Sequence, residues 1–112
     1  MNWKHLTTEA DLDDIVAASH QRPQAIFKHS TRCSISSVAL QRMEKGTAPD
    51  GIDFWYLDLL QYRPLSNAIA ERFGVYHESP QVILVKTGEA VYDESHLGIS
   101  LQEIAEQAGV TI

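Results

Sequence analysis

A chain of 112 residues, 44% hydrophobic and 21% charged, has room for one compact domain and the composition of a globular protein, which excludes disorder. Its formal charge of −6, with nine lysines and arginines scattered along it, excludes nucleic acid and anionic membranes as general partners. No apolar run approaches a membrane span, and the opening MNWKHLTTEADLDD lacks the basic and apolar regions of a signal peptide.

In chain order, Trp3 to Leu6 is a candidate first strand. Thr8 and Asp11 have the spacing of a capping box, with Asp in the Glu position. Leu12, Ile15 and Val16 follow at helical spacing, and Arg22-Pro23 stops that helix. Gln24 to His29 reads as a strand whose apolar content is Ile26 and Phe27. A second helix is expected from about Cys33 to Lys45, because Ile35, Val38, Ala39, Arg42 and Met43 recur at three and four. Gly46 ends it, and TAPDG is loop. Ile52 to Leu60 is aliphatic and aromatic enough for a buried strand in a parallel pairing. Arg63-Pro64 opens a third helix with the inner stripe Leu65, Ala68, Ile69 and Phe73, closed by Gly74. Gln81 to Lys86 is a strand, Thr87-Gly88-Glu89 a turn, and Ala90 to Asp93 its hairpin partner. Ser100 and Glu103 cap a last helix carrying Leu101, Ile104 and Ala108, ended by Gly109.

The order is β-α-β-α-β-α-β-β-α. An α/β core that closes with an antiparallel hairpin and one helix is the pattern of a thioredoxin-like fold. The expectation is a four- or five-stranded mixed sheet flanked by helices, in a single domain spanning residues 1–112.

The only cysteine, Cys33, lies in KHSTRCSISS and cannot close a disulfide within its own chain. Together with the missing export signal, this places the protein in a reducing cytoplasm. Cys33 falls just past a strand end and at the opening of a helix, where unpaired N–H groups and the helix dipole favour an anion. Helix N-termini and nearby cations favour the reactive thiolate. Arg32 is adjacent, Lys28 and His29 are close, and Ser36 stands one turn on, in position to donate to the sulfur. Thr31 and Ser34 add further donors. The competing reading is an inert thiol, since free cysteine is among the most buried residue types. Farther along, His77-Glu78-Ser79-Pro80 precedes a strand. There proline is ordinarily strand punctuation, but in a thioredoxin-like domain it is cis, faces the active cysteine and exposes the preceding backbone.

The segments STRCSIS and YLDLLQYRPLSNAIAERFGVYHESPQVILVKTGEAVYDESH resemble the YtxJ family of bacilliredoxin-like proteins over nearly the whole chain. The resemblance implies a monothiol bacilliredoxin, a thiol–disulfide oxidoreductase that removes bacillithiol from mixed disulfides on client proteins. Carried over, Cys33 is the nucleophile and Pro80 the cis-proline opposite it. From the local chemistry, Arg32 and Ser36 are the expected thiolate stabilisers, and Thr31, Ser34, Ser79 and Pro80 the expected substrate contacts. Bacillithiol is a thiol co-substrate, and no bound cofactor is implied. Its malate carboxylates make Arg32, Lys28 or Arg63 candidate partners. Where family members have Pro after the cysteine, this chain has Ser34. With no resolving cysteine, a second bacillithiol must release the Cys33 adduct. Two alternatives belong to other classes: an iron–sulfur carrier like monothiol glutaredoxins, and a non-catalytic module on the same scaffold. Ser34 and Ile35 stand where such carriers have Gly and Phe.

Other residues have structural readings. The five histidines lack metalloenzyme spacing, so no metal site is expected. His29 packs or hydrogen-bonds at its strand end, and Asp58 is a strand-end charge. Glu9, Asp11, Asp13 and Asp14 form a solvated helix face. Trp3, Trp55, Tyr56 and Tyr62 are core or near-core.

Overall fold

The computed structural model of the protein describes residues 1–110. Strands β1 (Lys4–His5), β2 (Gln24–His29), β3 (Asp53–Asp58), β4 (Gln81–Lys86) and β5 (Glu89–Ser95) form one sheet in the order β1-β3-β2-β4-β5. The first three run parallel to one another, β4 is antiparallel to β2, and β5 is antiparallel to β4. Helices α1 (Glu9–Ala18), α2 (Ser34–Lys45), α3 (Arg63–Phe73) and α4 (Leu101–Ala108) cover the two faces, with a 3-10 turn at His96–Gly98. This is the expected mixed sheet with a terminal hairpin and helix, and it has five strands. Among the described residues no helix is long and apolar enough to cross a membrane.

The central strand β2 has all six residues buried, because both faces are covered. Alternation sends Ala25 and Phe27 to one face, where they meet Ala39 and Met43 of α2 and Ile104 of α4. Ile26 goes to the other face, against Leu12 and Ile15 of α1 and Leu65 and Ile69 of α3. Each such fully buried aliphatic or aromatic side chain contributes about 1.5–3 kcal/mol. These two clusters sandwich the sheet and fix where β2 ends, and that end is where Cys33 begins its turn.

The boundaries differ from the sequence expectation where side chains intervene. β3 stops at Asp58, because its Oδ1 accepts from the backbone N–H groups of Leu60 (3.2 Å) and Gln61 (3.3 Å) and turns the chain toward α3. β1 has two residues, although the Leu6 N–H still donates to Tyr56 O at 2.9 Å. α1 ends at Ala18, short of Arg22-Pro23, where the Ser19 hydroxyl donates back to Val16 O at 2.6 Å. β5 is longer than expected and pairs with β4 from Glu89 to Ser95, with a register shift that leaves Val91 unpaired. The connection is a two-residue turn, with φ of 54° at Thr87 and 81° at Gly88, the left-handed pair that matches hairpin twist.

In α2 the buried positions are Ser36, Ala39 and Met43, while Ile35 is 43% and Val38 44% exposed. Ala39 and Met43 of the expected stripe are inward, but Ser36 takes the inward place expected of Ile35. The Thr8–Asp11 capping box forms in full; at α4, Ser100 Oγ accepts from the Glu103 N–H at 3.1 Å. Trp55 is buried, and Trp3, Tyr56 and Tyr62 pack against the clusters as expected.

Candidate active site

Cys33 is the N-cap of α2. Its backbone is extended (φ −107°, ψ 120°), its N–H donates to Ser30 O at 3.2 Å, and its carbonyl accepts from the Ser37 N–H at 3.0 Å. Its side chain makes no cap hydrogen bond. The thiol is half-buried, with Thr31, Arg32 and Ser34 exposed around it. An N-cap side chain lies beside the unpaired N–H groups of the first turn, the environment that favours a thiolate.

Ser36, three residues on, does not make the expected donation to the sulfur. Its hydroxyl accepts from the Ser30 N–H at 3.0 Å and pairs with His29 Nδ1 at 2.7 Å, fully buried. A hydroxyl has one proton and two lone pairs, so these two contacts use most of its capacity. Ser36 thus ties the first turn of α2 to the end of β2 and fixes the turn that carries Cys33. The His29 ring lies 5.9 Å from Phe27 and 5.6 Å from Tyr56, centroid to centroid. Burial holds its pKa below the usual histidine value, against the opposing pull of Asp58, Glu44 and the Ser36 hydrogen bond. His29 therefore packs and hydrogen-bonds at the strand end, as its position suggested. Its link to Ser36, seven residues on, has no signature in the sequence.

Lys28 departs from expectation. Alternation in β2 puts it on the α1/α3 face, fully buried, with Nζ donating to Ser66 O at 3.2 Å and to His77 Nδ1 at 3.3 Å. It is not a surface cation beside the thiol and is not available to a substrate carboxylate. Burial lowers its pKa to about 8. Arg32 and Arg63 are exposed. The signal that would have placed Lys28 was the prediction of helices on both sides of a central strand, which leaves no exposed position in it.

The Ser79-Pro80 peptide bond is cis, and Pro80 is buried. The β2–β4 ladder ends at the Lys28–Gln81 pair, so the chain leaves β2 toward Cys33 at the same end of the sheet where Pro80 leads into β4. Ser30 is the residue whose carbonyl holds the Cys33 N–H. The sheet thus brings Thr31, Arg32, Cys33 and Ser34 to the same end as Ser79 and Pro80. The Ser79 hydroxyl is buried without a hydrogen-bond partner among the described residues.

The family described as monothiol bacilliredoxin BrxC matches residues 4–104. A solved structure with a thioredoxin fold is 29% identical, with 92% of this chain and 90% of that one covered at a TM-score of 0.80. Malassezia sympodialis thioredoxin superposes at 0.75 with 11% identity, covering 96% of this chain and 91% of its own. Fasciola hepatica thioredoxin gives 0.69 and 18%, with 95% and 96% covered. The last two likenesses are of fold alone.

Proposed function

The chain belongs to the monothiol bacilliredoxin family of thiol–disulfide oxidoreductases, and from that membership we propose that Cys33 is the nucleophile that takes bacillithiol from modified client proteins. The observation that carries the assignment is the position of the lone thiol: half-exposed at the N-cap of α2, with no side-chain hydrogen bond to occupy it. The Cys33 thiolate attacks the bacillithiol sulfur of a client mixed disulfide. The client S–S bond breaks, the client leaves as a thiolate and takes a proton from solvent, and Cys33 holds the bacillithiol in a new disulfide. Because the chain has one cysteine, the adduct is resolved from outside. A second bacillithiol thiolate attacks the carried bacillithiol sulfur, freeing Cys33 and leaving oxidised bacillithiol.

Thr31 and Ser34 flank the sulfur and supply hydroxyls to the bound thiol, while the Ser79-Pro80 segment forms the opposite wall. With Lys28 buried, the exposed guanidinium groups of Arg32 and Arg63 are the partners for the malate carboxylates, which suit a bidentate fork. Ser36 supports the thiolate indirectly, by fixing the helix turn. The protein works in a cytoplasm whose thiols are kept reduced.

The test is intact mass after incubation with a peptide whose cysteine carries bacillithiol. The expected product is a single bacillithiol adduct on the protein, lost in Cys33→Ser and reversed by excess free bacillithiol. A wild-type chain that stays unmodified while the peptide remains bacillithiolated contradicts the assignment.

A further inference from the structure

A polar cluster lies inside the sheet's α1/α3 face, next to the segment that leads into Pro80. Lys28 is fully buried there, with Nζ at 3.2 Å from Ser66 O on α3 and 3.3 Å from His77 Nδ1. Ser66 Oγ approaches the same ring nitrogen at 3.3 Å. Gln81, the register partner of Lys28, is also buried and donates Nε2 to Tyr76 O at 2.8 Å. Two successive residues of the segment, Tyr76 and His77, are therefore held by side chains from the β2–β4 pair. At the far side of Pro80, its carbonyl accepts from the His96 N–H at 2.9 Å.

Stability does not account for a lysine at this place. Among the described residues no carboxylate pairs with it; the ion pairs there are Lys4–Asp53, Arg22–Asp53 and Arg72–Asp13. An ammonium buried without a counter-charge costs free energy that an apolar side chain of similar length would not. What the ammonium does provide is direction. It can only donate, so His77 must present Nδ1 as an acceptor and carry its proton on Nε2. The charged groups facing His77 are Lys28 from β2, Arg63 from α3 and Glu78 in its own segment, and burial with the two cations keeps the ring neutral. The charged lysine thus fixes the tautomer of the ring it donates to.

We infer that Lys28 is a positioning residue for the exchange reaction, fixing the 76–80 segment through His77 so that Ser79-Pro80 is held at the Cys33 end of the sheet. This rests on the reading of Cys33, Ser79 and Pro80 given above. The consequence falls on substrate binding, since the segment forms a wall of the site and does not touch the chemistry of the sulfur itself.

The experiment uses Lys28→Met in the full chain, with the bacillithiolated peptide as probe and amide hydrogen exchange as a second readout. Lys28→Met is expected to raise KM roughly tenfold with kcat changed much less. It should also speed exchange of the amides of residues 76–78, without lowering the urea midpoint. His77→Leu should reproduce the KM effect, and His77→Gln, which retains an acceptor, should recover much of it. If Lys28→Met fails to fold, the His77 pair carries the same test. A wild-type KM together with wild-type amide protection overturns the inference, as does an equal loss in kcat and kcat/KM. Exchange activity persisting in Cys33→Ser sinks the site assignment, whereas an inactive Cys33→Ser beside an unaffected Lys28→Met sinks this inference alone.

Discussion

Cys33 and Ser36 occupy the N-cap and the third helical position of α2, one turn apart and on neighbouring ground. A thiol at position 36 would stand where a dithiol enzyme keeps its resolving cysteine, so the hydroxyl there separates one-thiol from two-thiol chemistry. Ser36→Cys is expected to change the product. After reaction with a bacillithiolated peptide the variant should release free bacillithiol and end lighter by the mass of two hydrogens, with Cys33 joined to residue 36. The substitution weakens the hydrogen bonds to the Ser30 N–H and His29, so some stability is lost, about 1–3 kcal/mol for each partner left unsatisfied. Mass spectrometry under non-reducing conditions decides: accumulation of the bacillithiol adduct, as in the one-thiol chain, would show that the two positions do not face each other.

At the scale of the element, α2 begins on a residue that caps poorly. α1 and α4 begin on Thr8 and Ser100, whose oxygens accept from N3 backbone N–H groups, whereas Cys33 offers α2 no such bond. Serine is among the preferred N-cap residues, and a good cap contributes about 0.5–2 kcal/mol. Cys33→Ser is therefore expected to unfold at a slightly higher urea concentration while losing all exchange activity. A lower midpoint in that variant would mean that the thiol is needed for the fold. Elements of this kind were legible because caps, Pro-opened starts and glycine stops are local. β2, α3 and β4 have the bounds read from sequence, and Cys33 was placed at a helix start from its neighbours alone. What was not legible depended on faces. Ile35 and Val38 have helical spacing, yet the helix turns Ser36 inward, because His29 at the end of β2 and Ser30 just beyond it provide the polar contacts there. Lys28 reads as part of a basic run until the central position of β2 is known, and then it must be buried.

Taken whole, the molecule buries Lys28 and His29 on opposite faces of β2, with half-buried His77 against Lys28 and the half-buried phenols Tyr56 and Tyr92 on β3 and β5, and their titrations give the stability a definite dependence on pH. His29 and His77 have folded pKa values held below 6.5, chiefly by burial. The unfolded chain therefore binds their protons first, and stability is complete above about 6.5 and falls as pH drops through the folded values. Lys28 has a folded value of about 8 against 10.5 for a free side chain. Between those values the unfolded chain again binds more protons, so stability rises with pH across that window. At neutral pH the charged lysine costs the folded state on the order of 3 kcal/mol. Tyr56 and Tyr92 oppose the trend, because burial raises their folded pKa above 10 and the unfolded chain ionises first. The expected curve of unfolding free energy climbs from acid to neutral pH, levels, climbs again from about 8 toward 10, and then turns down as the tyrosines ionise. Urea unfolding across this range should show the second climb in the wild type and not in Lys28→Met, the difference isolating the lysine from every other titrating group. Parallel curves for the two proteins between pH 8 and 10 would mean that Lys28 is not held in a low-dielectric site.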